Sequence, residues 1–209
     1  PPIIKMCLDS WQRENPDWNL VVLDEKNLHQ YVNIDLSQQK IDQLMPNWYA
    51  DLIRLKLLMQ HGGVWVDATC YCTQPLDQWL FKHRTDGLFI FHNNARDRLL
   101  STWFLAASAD NYVLSKTYQC LISYWSSNNF ISYKKDAMVR VFLEKIFNRN
   151  VEMTRFWFNP IVTNVLRIAP YYNFHYWMAR CIQTDPLYAK AINSMGICKQ
   201  RESISNAEG

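Results

Sequence analysis

The run ADLIRLKLLMQHGGVWVDAT, Ala50 to Thr69, leaves this chain few choices of fold. Apolar residues recur at helical spacing from Asn47 to about Gln60, and two glycines follow at once. A glycine just past the last turn supplies the left-handed conformation that a compact helix end needs. Val64-Trp65-Val66 then reads as a buried strand with Asp67 at its carboxyl end. At ~100° per residue, Lys56 and Gln60 fall on one side of the helix, and Asp51 and Arg54 fall opposite with Leu58. Two charges therefore lie where a purely structural helix would be apolar. Asp51 also falls in the first turn, where the helix dipole favours a carboxylate.

Taken singly, each charge has an ordinary explanation. Asp51 can cap the helix and pair with Arg54 at i,i+3, and Asp67 can cap a turn. Taken together, Asp51, Arg54 and Asp67 converge through local geometry alone. Strands alternating with helices argue for an α/β fold with a central, mostly parallel sheet. In such sheets ligands bind beyond the carboxyl ends of the strands, where Asp67 stands.

The remaining elements read as follows. Pro2 to Arg13 is helical, Asn15-Pro16-Asp17 a turn, and Leu20 to Leu23 a short buried strand. Asp24 caps a helix toward Tyr31, and Asp35 to Leu44 forms another short helix before the break at Pro46. Leu88 to His92 is a strand. Helices are expected over Leu99–Ala107, Tyr112–Trp125, Asp136–Phe147 and Ile161–Ile168. The polar tail 199–209 is expected to be disordered, leaving 1–198 as one domain.

The net charge of +3, with no Lys/Arg tract, excludes nucleic acid as an expected partner. No run approaches the ~18 apolar residues of a membrane span. No signal peptide is visible, and the sequence opens at Pro1-Pro2. The six cysteines, 7, 70, 72, 120, 181 and 198, form no CxxC pair and no zinc spacing, so they read as reduced structural thiols. Cys70 and Cys72 alternate along an apparent strand and would share a face.

The segment from Ala50 through Leu80 resembles the sugar-nucleotide-binding core of capsular polysaccharide synthesis proteins. These are similar to the DXD glycosyltransferases that include yeast initiating mannosyltransferases and the clostridial glucosylating toxins. Their pattern is Ala/Ser-Asp-x-x-Arg on a helix, Gly-Gly, then a strand ending in Asp-x-Asp or a variant. PPIIKMCLDSWQRENPDWNLVVLD resembles the group's opening helix and second strand. LLSTWFLAAS (99–108) resembles its mid-domain segment, and YYNFHYWMARCIQTDP (171–186) its late aromatic helix. The sequence departs at Asp67-Ala68-Thr69, which lacks the second carboxylate, and it lacks the strand that normally precedes the position of Pro1. Residues 126–170 are longer than expected and read as an acceptor-side insertion.

The resemblance implies a GT-A-like domain, with its first strand missing from this sequence, that transfers a sugar from a nucleotide-sugar donor to a glycan or lipid-linked glycan acceptor. It implies a cytoplasmic protein, peripheral at the inner membrane face, and a retaining reaction assisted by Mn²⁺ or Mg²⁺. Asp51 and Arg54 would be catalytic and grip the donor sugar. Asp67 would face the metal, with Thr69 in place of the second carboxylate and His175 as a late ligand. Tyr49, Ser101 and Trp103 complete the donor-side set. His92 and Asn93 would face the acceptor, His61 would be solvated, and Arg96 and Arg98 read as surface charges. The competing reading is a non-catalytic glycan- or nucleotide-sugar-binding module of the same fold.

Overall fold

In the computed structural model, residues 1–131 and 137–195 are described. Helix α1 (Pro2–Glu14) leads through short α2 (Leu28–Tyr31) and α3 (Gln38–Ile41) into α4 (Pro46–His61) and β1 (Gly63–Val66). Then come α5 (Leu76–His83), β2 (Leu88–His92), β3 (Leu100–Ala107) and α6 (Tyr112–Ser127). Past the undescribed segment 132–136 lie α7 (Ala137–Phe147), a 3-10 turn (Met153–Phe158) and a π-helical turn (Ile161–Leu166). Helices α8 (Asn173–Thr184) and α9 (Pro186–Ser194) close the described chain. The expected disordered tail 199–209 and Cys198 lie outside the described residues.

The expected helix over Leu99–Ala107 is instead β3, the central strand of a three-stranded sheet ordered β1-β3-β2. Both of its pairings are antiparallel, with Trp65 opposite Leu105 and Phe89 opposite Ala106. The mostly parallel sheet expected from the sequence is therefore not what these strands form. The two corrections have one cause. A short apolar run gives the same signal as a buried strand or a buried helix. Once that run is a strand, residues 93–99 are too short a link for a parallel crossover. Helix α5 is an addition, because Pro75 and its polar neighbours read as loop.

Leu20–Leu23 was expected as a buried strand, but it pairs with no strand, and Leu20, Val21 and Val22 are exposed. Cys70 and Cys72 lie outside any strand. Cys72 is instead buried against α1, where its N–H donates to Ser10 Oγ at 2.8 Å. Asn15 Oδ1 accepts from Leu76 N–H at 2.7 Å, and Trp11 Nε1 donates to the Cys70 carbonyl at 2.8 Å. Ser10, Trp11 and Asn15, at the end of α1, thus tie the first helix to the chain leaving β1.

The main core lies between one sheet face and α4, α6 and α8, and contains the fully buried Leu52, Leu55, Leu105, Leu114 and Phe174. The other face carries an aromatic layer of Phe89, Phe91 and Phe104 with Trp79 and Trp103. A third cluster, Leu143, Trp157, Val162, Ile168 and Tyr176, holds α7 and the two irregular turns together. Lys56, on the expected solvent side of α4, pairs with Asp35 at 2.7 Å and lies over the Tyr118 ring.

Gly62 turns α4 into β1. Its φ of +67° is a conformation that side chains strain to adopt, and an added Cβ would sit 2.9 Å from the Ala109 backbone nitrogen. Gly62→Ala is expected to destabilise the fold by ~2 kcal/mol, lowering Tm by roughly 4–8 °C in a thermal melt.

Candidate functional site

The Gly62 turn folds β1 back so that Asp67 meets the buried face of α4. Arg54 sits at the centre. Its Nη1 donates to the Thr102 carbonyl at 2.5 Å and lies 3.5 Å from Asp67 Oδ1. Its Nη2 lies 3.5 Å from Asp51 Oδ1, and its Nε donates to the Ala50 carbonyl at 3.3 Å. Trp65 offers its ring to the guanidinium at 5.3 Å, and its Nε1 donates to Asp67 Oδ1 at 2.9 Å. Asp67 N–H donates to the Trp103 carbonyl at 2.9 Å, which fixes the carboxylate at the end of the strand. Helix α4 begins at Pro46, so Asp51 lies past its first turn and outside the reach of the helix dipole. It caps nothing either.

The two carboxylates differ. Asp67 keeps 38% of its side chain exposed, and its Oδ2 has no partner among the described residues. Asp51 keeps 12%, and its contact with Arg54 is its sole polar contact among the described residues. Burial pushes the Asp51 carboxyl up to about 7, with Arg54 pulling it down and Asp67 adding to the rise. A carboxylate can accept several hydrogen bonds, so Asp51 has unfilled acceptor capacity.

The sign of its effect on stability follows. The native carboxyl holds its proton more tightly than an unfolded aspartate, whose pKa is near 4. Between about pH 4 and 7 the native state binds more protons, so stability falls as pH rises through that window. The denaturant midpoint is expected to fall between about pH 4 and 7, with a shallower slope in Asp51→Asn.

Thr102 connects this cluster to α8. Its Oγ1 lies 3.5 Å from His175 Nε2. Burial, with Arg98 and Arg54 nearby, pushes His175 down to about 3, so it is neutral at physiological pH. Its Nδ1 is buried without a hydrogen-bond partner. Arg98, expected as a surface charge, is 19% exposed, stacks 3.6 Å from the Tyr172 ring centre and lies 3.5 Å from Asp97. Tyr176 Oη donates to buried Asp97 at 2.6 Å. Sequence reasoning missed Asp97, Tyr176 and the Thr102 carbonyl. The signal for the first two was Asp97-Arg98 after a strand, together with tyrosines at 172 and 176, one helical turn apart.

The other expected residues disperse. Tyr49 is half-buried against the main core. Ser101 lies on β3, not at a helix start, with its Oγ buried and without a partner. Trp103 stacks on Phe91 at 5.0 Å in the aromatic layer. Thr69 is exposed in the turn after β1. His61 is exposed, with Nε2 3.1 Å from the Tyr31 carbonyl. Asn93 accepts from Ala95 N–H within its own loop.

A groove of about 650 Å³ runs along the free edge of β1. Trp65, Val66 and Ala68 form one wall, and Leu20–Leu23 with Trp18 form part of the other. Trp65 thus separates the groove from Arg54.

Among the described residues, no three His, Cys, Asp or Glu side chains gather as a metal site. Asp67 Oδ2 can still supply one ligand to a hard cation whose other ligands come from phosphate and water. The two arginines around His175 make its position hostile to a cation. No described helix is long and apolar enough to cross a membrane.

A family model described as capsular polysaccharide synthesis protein matches residues 1–159. No curated protein and no solved structure matches the chain. The matched span holds Asp51, Arg54, Asp67, Asp97 and Arg98, and it ends before His175 and Tyr176.

Proposed function

The chain belongs to the capsular polysaccharide synthesis protein family, and we propose that within it the protein is a glycosyltransferase moving a sugar from a nucleotide-sugar donor to a glycan or lipid-linked glycan. The observation that carries this reading is the buried pair Asp51 and Arg54 facing Asp67 across the helix–strand turn. On this reading the antiparallel sheet is the described part of a GT-A-like domain. The groove beside Trp65 takes the nucleotide, and the Asp51 side takes the sugar.

The roles follow from the partners. Asp51 accepts hydrogen bonds from adjacent sugar hydroxyls and stabilises the cationic character that develops at the anomeric carbon. Arg54 is already engaged by two carbonyls, two carboxylates and an indole. It therefore holds the two aspartates in register and lends positive charge to the site. Asp67, through Oδ2, would hold Mn²⁺ or Mg²⁺ against the donor diphosphate. A bound cation supplies charge that offsets the leaving diphosphate. With Asp51 assigned to the donor sugar, the acceptor is given no protein base on this reading, and the reaction is taken as retaining.

The saturation of Arg54 favours a second reading, a binding module that recognises the donor without turning it over. A thermal-shift screen of nucleotide sugars, with and without Mn²⁺, followed by an assay for donor cleavage, separates the two. A shift with turnover is expected. A shift without turnover, for any donor and acceptor offered, would leave the binding module. The absence of any shift would overturn both.

A further inference from the structure

Helix α7 is apolar on both sides, with Leu143 and Phe147 packed inward. Its inward side carries buried Arg140, 3.8 Å from Glu144, and Leu143. Its outward side carries Met138, Val139, Val141 and Phe142, with Met138 at 88% and Phe142 at 62% exposure. At ~100° per residue these four side chains span one face, and Lys145 falls within it, between Val141 and Met138, so the outward side is apolar with a single cation in it. The π-helical turn that shares α7's small core adds exposed Ile161 and Val165. An exposed apolar helix face of this kind marks an interaction site.

Charge decides the partner. The exposed ionisable residues from 138 to 167 are Lys145, Arg149, Arg155 and Arg167 against Glu152 alone. A second copy meeting this face symmetrically would set those cations against themselves. An anionic surface would be attracted, and an apolar helix face carrying a lysine, in a segment whose other exposed charges are mainly cationic, is the chemistry that beds into a lipid headgroup layer. The helix spans 11 residues, too few to cross a bilayer.

We infer that the outward face of α7 docks the protein onto an anionic bilayer, with Met138 and Phe142 as the inserting side chains. Docking here is independent of the proposed transfer reaction. The inward face of the same helix reaches the neighbourhood of the site, because Leu143 packs in one cluster with Tyr176, the partner of Asp97. Docking would thus hold the Asp97 end of the site near the membrane, where a lipid-linked molecule presents its head.

The test is co-sedimentation of the full chain with vesicles of phosphatidylglycerol mixed with phosphatidylcholine, and with phosphatidylcholine alone, at low salt. Binding to the mixed vesicles that weakens with salt is expected. Met138→Glu with Phe142→Glu should lower the partition coefficient roughly tenfold or more. Leu187→Glu, at the equally exposed Leu187 of α9, should leave it unchanged. Both sites are on the surface, so the variants should keep the wild-type circular dichroism spectrum. Three results would overturn the inference: no binding at low salt, equal binding by the double variant, or a wild-type dimer in light scattering that the double variant converts to monomer.

Discussion

Asp51→Asn is expected to reduce sugar transfer by ~10²–10⁴-fold while leaving the fold intact. The substitution keeps the shape of the side chain and removes its charge. At neutral pH that charge is held under strain, since burial raises the carboxyl to about 7. Its loss removes a desolvation cost, and Arg54 keeps the Thr102 carbonyl and Asp67. Tm is therefore expected to stay within a few degrees of wild type at about pH 7. What is lost is an acceptor of hydroxyl protons and a negative charge beside the anomeric centre. Single-turnover rates with saturating donor, read beside a melt, check both parts. A variant that retains full rate would remove Asp51 from the chemistry. A variant that fails to fold would show that its charge is needed by Arg54, and the argument from an underused carboxylate would fail.

The pH profile separates Asp51 from its neighbour. His175 is held neutral by burial and two arginines, so it does not titrate between about pH 5 and 8. An ionisation near 7 in the rate profile is then expected to vanish in Asp51→Asn.

The helix–turn–strand hinge could be read from the sequence because its signals are local. Apolar periodicity, paired glycines and a short β-branched run each act over a few residues. Those signals also identified Asp51, Arg54 and Asp67 as neighbours, since the first two share one face of the helix and the third ends the strand that the hinge folds back along it. What lay beyond reach depended on distant pairing. Leu99–Ala107 is almost entirely buried, so its two faces are both apolar and the period that distinguishes strand from helix is erased. Leu20–Leu23 has the composition of a strand, but a strand exists only with a partner, and none pairs with it. Asp97, Arg98, Tyr172 and Tyr176 come together from a loop and a helix far apart in sequence. Helix α7 was legible as a helix, but with apolar residues on both sides periodicity alone does not say which face turns inward.

Arg54→Met is expected to be the most damaging substitution at the site, costing ~3–5 kcal/mol and about 10 °C in Tm. Methionine fills much of the volume but supplies no donor. The Thr102 and Ala50 carbonyls lose their contacts, and two carboxylates are left facing each other with no cation between them. Asp67 is part-exposed and stays solvated, so the penalty falls mainly on Asp51. Without Arg54 to pull it down, the Asp51 carboxyl rises further, and the variant recovers stability as the pH is lowered. That dependence predicts the behaviour of the double variant. Asp51→Asn with Arg54→Met removes the stranded charge along with its partner, so it should be more stable than Arg54→Met alone at about pH 7. Arg54→Lys retains the charge but not the fork, and a single ammonium cannot reach the Thr102 carbonyl and both carboxylates together. It should therefore fold better than Arg54→Met and still lose most of its activity, because the aspartates would no longer be held in register. Equal stability in the single and double variants would mean that Arg54 acts on the fold through Thr102 alone, and the two carboxylates would then be independent groups instead of one site.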